Sequence, residues 1–471
     1  MSEITKLDAY TLSKAIHDKK YSCKQVMKAY LARIEKYNPE INAIISMRSS
    51  EDLLREATKF DNLEPKGWLH GIPMAIKDLS ESKDLKTTWG SPLFKNHIST
   101  SDSIVSQRLK ASGAIIIGKT NTPEFGLGSH TYNPVNGITR NPYDLKKTAG
   151  GSSGGTAAAL AANLLPVADG SDMMGSLRNP AAYNNIYGFR PTWGLVPNDA
   201  DGDNFMQTLA TSGPMARNPT DLAHLLETMI GANPLLPVNR TPENCYISGL
   251  DKRVSGKRIG WIRDWKGHYQ YESGINELCE QALAQYAKIG EEIEEFVPEF
   301  DPTLLWDAWL TLRSWSVSNG MRDLYNDLNK RALLKPEIIY EIEEGRTLSA
   351  SKVYDASVIR SNWFKYLTDV FSKFDALALP SAQVFPFNVE TNWPNEINGV
   401  KMSTYHQWME VVVPVSLVGL PAISIPCGFG DERLPMGLQL FSAVGNDKLV
   451  LQLAQNYHSV TDWPNQKKPL L

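Results

Sequence analysis

The stretch that decides the fold is TAGGSSGGTAAALAANLLPVADG, residues 148–170. Its uncharged, alanine-rich part, residues 156–163, predicts a helix, and residues 164–170 predict the buried strand that follows. Two glycine pairs enclose two adjacent serines in the turn before the helix. Such a turn could cradle a phosphate, expose a nucleophile or only change the direction of the chain.

Helix and strand patterns also alternate outside this stretch. Residues 101–113 predict a helix that ends at Gly113, and residues 114–117 predict a buried strand. Residues 258–262, RIGWI, predict another strand, and residues of about 270–372 predict a mostly helical segment. Strands return in DALALP, PAISIPC and MGLQLFS. We therefore expect an α/β fold in which one sheet is covered by helices on both faces.

Capping residues predict where several helices begin. Ser22 and Gln25 have the spacing of a capping box, and Asn218 followed by Pro219 predicts the start of a helix that ends before Gly231. The proline-rich residues 232–256 predict a long surface connection. We expect one domain over residues 1–471. Its expected parts are N-terminal helices in 1–64, a core at about 65–232 and 373–471, and the helical insertion at about 270–372.

The composition predicts an ordinary globular protein. The 471 residues are 42% hydrophobic and 21% charged, and a net charge of −4 gives no electrostatic reason to expect a nucleic acid or an anionic membrane as partner. The start, MSEITKLDAY, lacks the features of a signal peptide, and no apolar run reaches 18 residues. We expect a cytoplasmic protein whose four scattered cysteines are free thiols.

Two short stretches of the sequence match the spelling of known functional motifs. GAIIIGKT, residues 113–120, has the spelling of a phosphate-binding loop, but its isoleucines predict a strand where that loop needs flexibility, and we reject it. The glycine-rich turn also spells G-x-S-x-G around Ser152 and Ser153, as in a nucleophile elbow. That motif needs a buried strand before it, whereas polar NPYDLKK precedes it here. The candidate histidines for this alternative are His224, His268, His406 and His458.

A third pattern is a set of three separated residues. Lys77 ends the apolar stretch of GIPMAIKD, and Ser176 follows the strand predicted at residues 164–170. A lysine in apolar sequence is often a surface residue with a buried stem. If the ammonium is buried instead, its pKa falls and a neutral amine becomes available as a base. Two serines and such a lysine could activate a nucleophile without histidine.

These stretches resemble, in the same order, the motifs of the amidase signature family. The motifs are GIPMAIKD (71–78), GKTNTPEFGLG (118–128), TAGGSSGGTAAA (148–159) and DGSDMMGSLRNPAA (169–182). Lys77 and Ser152 are 75 residues apart, and Ser152 and Ser176 are 24 apart, which is typical of the family. PAISIPCG and PMGLQLFS are similar to its C-terminal strands. The resemblance implies a single α/β/α layered domain with a mixed central sheet.

The resemblance also implies the roles of individual residues. Ser176 is expected to attack an amide carbonyl, and Ser152 to bridge between Ser176 and Lys77, held by a cis peptide bond. Ser153 is expected to support this network. Backbone N–H groups of Met173, Met174, Gly175 and Ser176 are expected to form the oxyanion hole. Asp172 and Arg178 are expected to form an ion pair that braces the loop, or Arg178 contacts the substrate.

The chain departs from the family just before the nucleophile. Many members have a small residue and a glycine where this chain has Met173 and Met174. A side chain at position 174 disfavours a positive φ. Three explanations stay open: the turn needs only ordinary dihedral angles there, activity is reduced, or the methionines shape an unusual acyl pocket.

The leading functional prediction is an amidohydrolase that forms an acyl-Ser176 intermediate from a small linear amide. One alternative is the glutaminase component of a tRNA-dependent amidotransferase, its A subunit, although the family's glutamine-binding acid has no clear counterpart near Met409 and Glu410. Another is a catalytically silent protein that binds an amide or acyl ligand. No cofactor and no metal are expected, because the sequence has no ligand cluster. A homodimer is possible.

Overall fold

The computed structural model describes residues 3–206, 208–241 and 245–471. Within these residues the chain forms an eight-stranded sheet, a three-stranded sheet and three two-stranded ribbons. In chain order, the strands of the two larger sheets are β1 (Ile44–Ile45), β2 (Pro73–Lys77), β3 (Ile115–Thr120), β4 (Val167–Asp172), β5 (Tyr187–Arg190), β6 (Thr211–Ala216), β7 (Arg258–Trp261), β8 (Glu292–Glu295), β9 (Ala376–Pro380), β10 (Ala422–Phe429) and β11 (Pro435–Phe441). The ribbons pair Tyr132–Asn133 with Gly137–Ile138, Arg140–Asn141 with Asp144–Thr148, and Glu396–Ile397 with Val400–Lys401.

Helices fill most of the chain between these strands. The α-helices are Glu3–Lys6, Ala9–His17, Cys23–Ile41, Ser50–Phe60, Ile104–Ala111, Gly154–Ala161, Arg178–Tyr183, Pro219–Met229, Ile275–Lys288, Pro302–Gly320, Arg322–Asn326, Leu328–Arg331, Pro336–Arg346, Ala350–Val370, Val413–Ser416, Asp447–Thr461 and Trp463–Gln466. Short 3₁₀ helices span Pro92–Phe94, Glu124–Gly126 and Gln407–Val412. Among the described helices, none combines the length and apolar character needed to cross a bilayer.

The large sheet is mixed and flanked by helices, which confirms the expected fold class. Its strand order is β8-β7-β9-β11-β10-β5-β6-β4. β7 pairs in parallel with β8 and β9, and the remaining pairs are antiparallel. The central strands β9, β10 and β11 are almost entirely buried, as continuous apolar runs require when both faces of a sheet are covered.

One strand lies where the sequence predicted mostly helix. β8, Glu292–Glu295, has the sequence EIEE, and it follows helix Ile275–Lys288 and forms one edge of the large sheet. Charged side chains on an edge strand prevent pairing with other chains and remove the apolar signal of a strand. The rest of the segment is helical, from Pro302 to Val370 with short connections. The expected division of the chain into a core and an insertion stays a prediction.

The small sheet sets up the candidate site. β2 pairs in parallel with β3, every residue of both strands is buried, and β2 packs beside β4 of the large sheet. β3 continues through Lys119 and Thr120, so the phosphate-loop motif is a strand, as its isoleucines predict. β2 ends at Lys77 and β4 ends at Asp172. Two strand ends with charged side chains therefore lie close together.

The two helix starts that the capping residues predict are confirmed. Ser22 forms the complete capping box with Gln25 at the start of helix Cys23–Ile41, and Asn218 caps helix Pro219–Met229. Residues 232–241 and 245–256 contain neither helix nor strand, as expected for a surface connection. The middle of that connection, residues 242–244, lies outside the described residues. The four cysteines are free, and three of them are buried.

Candidate active site

Lys77 is the centre of a cluster of hydroxyl groups. Its side chain is only 1% exposed at the end of β2. Nζ lies 2.8 Å from both Ser152 Oγ and Ser153 Oγ, and it also donates to Ser171 Oγ at 3.0 Å. A buried amine with three hydroxyl neighbours can exchange protons with them in either direction.

The protein environment lowers the pKa of Lys77. Burial is the largest cause, since it penalises the ammonium form, and it brings the pKa from 10.5 to about 7. The carboxylates of Asp169 and Asp172 act in the opposite direction and hold the pKa up. Asp169 also fixes the lysine backbone, because Oδ1 accepts the Lys77 N–H at 3.0 Å. Near neutral pH a large fraction of Lys77 is therefore an uncharged amine.

The glycine-rich turn brings Ser152 and Ser153 to this amine. The peptide bond between Gly151 and Ser152 is cis, as the family resemblance implied. Helix Gly154–Ala161 begins directly after Ser153 and packs closely on the chain that follows β3. A Cβ atom at Gly155 would lie 2.3 Å from the backbone N of Asn121, so the close approach requires glycine.

Ser176 lies in the turn that follows β4. Its carbonyl accepts the Ser153 N–H at 3.3 Å, which joins the two serine-bearing turns. Gly175 has a φ of 78°, whereas Met174 is not among the residues with positive φ. The turn therefore requires glycine at position 175, where the chain keeps it, and takes an ordinary backbone conformation at position 174. For the backbone, this agrees with the first of the three explanations for Met174, that the turn needs only ordinary dihedral angles there.

The turn also corrects the expected set of oxyanion donors. The Gly175 N–H donates to Asp172 Oδ1 at 2.9 Å, so this amide is not free to face a substrate. The Leu177 N–H is held by Asp172 Oδ2 at 3.1 Å. Among the described contacts, the N–H groups of Met173, Met174 and Ser176 have no partner. The Asp172 carboxylate thus accepts the N–H of one of the four residues that were expected to form the oxyanion hole.

Asp172 is held by two buried arginines. Arg178 forms an ion pair with Oδ2 at 3.1 Å, and Arg190 forms one with Oδ1 at 2.9 Å, with all three side chains fully buried. Burial raises the pKa of Asp172, but the two guanidinium groups outweigh it and hold the pKa well below the usual range. Arg178 also donates to Gln439 and Ser416, and it does not line the cavity. The ion pair expected between Asp172 and Arg178 is therefore present in the folded turn.

Ser152, Ser171 and Ser176 open into one cavity of about 640 Å³. Met173 and Met174 form part of its wall, and much of the remaining wall is apolar. The described hydrogen bonds include none between Ser152 Oγ and Ser176 Oγ, although both residues face this space. A molecule in the cavity can therefore reach both serines.

Comparison with known proteins identifies the family. A model described as amidase matches residues 25–451. The chain belongs to the amidase signature family. It is 33% identical to the A subunit of glutamyl-tRNA(Gln) amidotransferase from Alkaliphilus metalliredigens, and the alignment covers 96% of each chain. It is 31% identical to the acylamidase of Rhodococcus erythropolis, and that alignment covers 98% of this chain and 97% of the acylamidase. The crystal structure of a bacterial aryl acylamidase of the same family superimposes with a TM-score of 0.91 at 25% identity, covering 98% and 97%.

As a member of the amidase signature family, the protein is a hydrolase that acts on carbon–nitrogen bonds. The competing elbow motif lacks its histidine. Ser152 and Ser153 contact Lys77, and no described hydrogen bond joins either serine to a histidine ring. The strand before the motif, Asp144–Thr148, belongs to a two-stranded ribbon outside the large sheet. Only His406 of the four candidates lines the cavity.

Other residues of this amidase signature site were not predicted from the sequence. Ser171 was overlooked, although it stands beside Asp172 at the end of β4 and contacts the lysine. Arg190 gave no local signal, because its partner lies 18 residues away on another strand. Trp306 and Trp309 are buried in the core and do not line the cavity.

Proposed function

We propose that the protein hydrolyses an amide to a carboxylic acid and ammonia or an amine through an acyl intermediate on Ser176. The observation that carries the proposal is the contact of 2.8 Å between Ser152 Oγ and Nζ of the buried Lys77. Ser176 shares the cavity with Ser152, so a proton can pass from one hydroxyl to the other when a substrate is bound. Catalytic hydrogen bonds that are absent in a free enzyme often form only in the complex.

The reaction begins with the neutral amine of Lys77. Lys77 takes the proton of Ser152, Ser152 takes the proton of Ser176, and Ser176 Oγ forms a bond with the carbonyl carbon. The carbonyl electrons move to its oxygen. When they return, the carbon–nitrogen bond breaks and the nitrogen receives the proton that Lys77 held, through Ser152. Water then attacks the ester carbon, and the acid leaves as Ser176 recovers its proton.

The developing negative charge needs fixed donors. We assign this role to the N–H groups of Met173, Met174 and Ser176, since Asp172 occupies that of Gly175. Asp172 takes part indirectly, because Arg178 and Arg190 fix its carboxylate and the carboxylate fixes the turn. Loss of one oxyanion donor typically costs about 10²–10³ in turnover, so the rigidity of this turn contributes directly to rate.

Covalent labelling with a fluorophosphonate tests the proposal. We expect the label on the peptide that contains Ser176, no label in Ser176→Ala, and slower labelling in Lys77→Ala. Heat-denatured protein is the control for non-specific reaction. A label on Ser152 or Ser153 would support the elbow motif instead. Hydrolysis of simple amides by the wild type, measured by ammonia release, completes the test.

A second candidate is the glutaminase component of a tRNA-dependent amidotransferase. The observation in its favour is the 33% identity to such a protein over 96% of the chain. Glu410, near the position where the family's glutamine-binding acid is expected, lies 2.6 Å from His268 Nε2 and does not line the cavity. The two candidates differ in their substrates. Release of ammonia from glutamine at a rate that rises when the other amidotransferase components are added would favour the amidotransferase.

The hypothesis of a silent ligand-binding protein depended on Met174 alone. Because the backbone at Met174 has no positive φ, the methionine does not prevent the turn from forming. Met173 and Met174 both line the cavity, which supports the explanation that they shape the pocket. Any amide hydrolysis that disappears in Ser176→Ala would exclude the silent protein.

A further inference from the structure

The cavity of the candidate active site has a second polar region. Arg313 comes from helix Pro302–Gly320, and His406 comes from the loop just before the 3₁₀ helix Gln407–Val412. Both residues line the cavity that contains Ser152 and Ser176. They are 4% and 1% exposed. The proposed reaction uses neither of them.

The charge of Arg313 is balanced on the side away from the cavity. Nε donates to Glu341 Oε1 at 2.6 Å, and Nη2 donates to the Tyr405 hydroxyl at 2.8 Å. Nη1 has a much poorer partner, the thioether sulfur of Met173 at 3.3 Å. Because sulfur is a weak acceptor, this N–H group keeps most of its capacity to bind an oxygen atom. Met173 belongs to the turn of Ser176, so the donor points to the reacting end of the cavity.

His406 has no hydrogen-bond partner for either ring nitrogen among the described residues. Its ring packs against Trp306 and Tyr405, with centroid distances of 5.2 and 4.4 Å. Burial lowers the pKa of His406 to about 3, so the imidazole is neutral and carries one donor and one acceptor. Buried polar groups in native proteins nearly always have partners, and an unpaired imidazole in a cavity wall therefore indicates a ligand.

Both nitrogens are enclosed in the free protein. The neighbouring wall includes Met173 and Met409, whose unbranched side chains change rotamer easily. A substrate can displace these side chains and reach Arg313 and His406 together. Met174 and Met321 line the same cavity and supply an adaptable apolar surface for the rest of the molecule.

The charges of the cavity select against a carboxylate. Glu341 already balances Arg313, and the same cavity is lined by Asp199, Asp201 and Asp203. Within the described residues, Arg313 is the only lysine or arginine that lines it. An anionic group would add to an excess of negative charge, whereas an uncharged oxygen can accept from both Arg313 and His406 at no such cost.

We propose that Arg313 and His406 recognise an uncharged oxygen acceptor, such as a ketone or a second amide carbonyl, that the amide substrate carries away from the bond to be cleaved. The methionine side chains pack around the apolar segment between the two groups. This inference rests on the proposed function and names the class of substrate that the site would take.

A series of straight-chain amides tests the proposal. Each amide of six to eight carbons is compared with its oxo derivatives, in which a ketone replaces one methylene group at successive positions, and with the amide that ends in a carboxylate. For the wild type we expect kcat/KM to rise about tenfold or more for one ketone position over the plain amide, and to fall for the carboxylate. No preference for any ketone, or a preference for the carboxylate, would overturn the proposal.

Variants of His406 separate recognition from folding. His406→Phe keeps a ring between Trp306 and Tyr405 and removes both nitrogens, so we expect the melting temperature not to fall and the ketone preference to be lost. His406→Gln restores a donor and should recover part of that preference. Trp309→Phe removes an equally unpartnered buried N–H outside the cavity wall and should leave the preference unchanged. A ketone preference that survives in His406→Phe would contradict the assignment.

Failure of the proposed function would be recognised separately. If the wild type hydrolyses none of these amides, calorimetric binding of the same series still measures the ketone preference in wild type and His406→Phe. Hydrolysis of every amide with equal kcat/KM would support the proposed function and exclude this inference. Unfolding of His406→Phe would leave the wild-type series and His406→Gln as the deciding comparison.

Discussion

Two lysines lie side by side in the small sheet, and only one of them reaches the cavity. Lys77 ends β2, and Lys119 lies on β3, where it pairs across the parallel ladder with Ile76, the residue before Lys77. Both are buried, and burial lowers the pKa of both, to about 7 and about 8. Their partners differ. Lys77 contacts three serine hydroxyl groups, whereas Lys119 donates to the backbone carbonyl of Ser80.

This difference shows that a lowered pKa does not by itself identify a catalytic base. Both amines can be neutral near physiological pH, but a carbonyl oxygen has no proton to give. A serine hydroxyl can give one, and Ser152 also faces the cavity that Ser176 lines. Lys119 therefore resembles a structural support for the chain after β2, and Lys77 is the candidate base.

The largest expected effect comes from replacing Lys77 by methionine, which keeps the length of the side chain and removes the amine. The same replacement of Lys119 is the matched comparison. In Lys77→Met we expect kcat/KM to fall by about 10²–10⁴, the usual contribution of a general base. In Lys119→Met we expect a change of about threefold or less. Steady-state hydrolysis of the best amide substrate measures both.

Lys77→Arg sharpens this result. Arginine keeps a positive charge and does not lose its proton in proteins, so it should be as inactive as methionine. Circular dichroism of each variant checks that the fold is retained. Equal losses of activity in the Lys77 and Lys119 variants would mean that the two lysines act alike, and the comparison would be wrong.

The next effect is on the dependence of activity on pH. Lys77 accepts a proton only as the neutral amine, so kcat/KM should fall about tenfold per pH unit below the pKa of Lys77, near 7, and level off above it. Lys119→Met should keep the midpoint of this profile. A profile that is flat between pH 6 and 8 in the wild type would exclude Lys77 as the base.

The sequence predicted the residues of the site better than their contacts. Lys77 ends an apolar stretch, Ser152 lies in a glycine-rich turn and Ser176 follows a predicted strand, and such positions can be read locally. Their convergence depends on how β2 lies beside β4, which no local pattern contains. The same limit explains why the Gly175 N–H was expected to face the substrate, since its contact with Asp172 exists only in the folded turn.

Long-range partners were the least predictable part. Arg190 and Gln439 fix the turn of Ser176 from two other strands, and their sequence neighbours give no sign of it. The fold class was predictable because continuous apolar runs mark the buried strands. β8 was not, because a charged edge strand lacks such a run. His406 was noted only as one of several histidines, since its missing partners are a property of the folded cavity.

A smaller effect is expected from Asp169, whose negative charge raises the pKa of both lysines. Asp169→Asn keeps an oxygen for the Lys77 N–H and removes the negative charge, so the pKa of Lys77 should fall. The fall of kcat/KM at acidic pH should then begin at a lower pH, by about one unit or less. Burial raises the pKa of Asp169 itself to about 6, and the difference from the wild type should therefore fade below that pH.

Asp78→Asn is the matched control for this shift. Asp78 raises the pKa of Lys119 and is not among the groups that raise that of Lys77. We expect its pH profile to have the wild-type midpoint. A shift to higher pH in Asp169→Asn, or equal shifts in both variants, would contradict the separate electrostatic environments of the two lysines.

The smallest expected effect is on thermal stability, and here the two lysines should behave alike. The unfolded chain keeps each lysine protonated up to about pH 10.5, while the folded protein releases the proton above about 7 or 8. The unfolded state thus binds more protons in this window, and stability rises with pH. Each lysine contributes up to about 1.4 kcal/mol per pH unit, or roughly 1–2 °C in Tm for a chain of this size.

Melting curves between pH 7.5 and 9.5 measure this contribution as the difference between wild type and variant, which cancels the other groups that titrate there. We expect the rise of Tm with pH to be weaker in Lys77→Met and in Lys119→Met than in the wild type. The two variants should thus differ in catalysis and agree in stability. A rise that is unchanged in Lys77→Met would mean that Lys77 stays protonated in the folded protein, and a protonated Lys77 could not serve as the base.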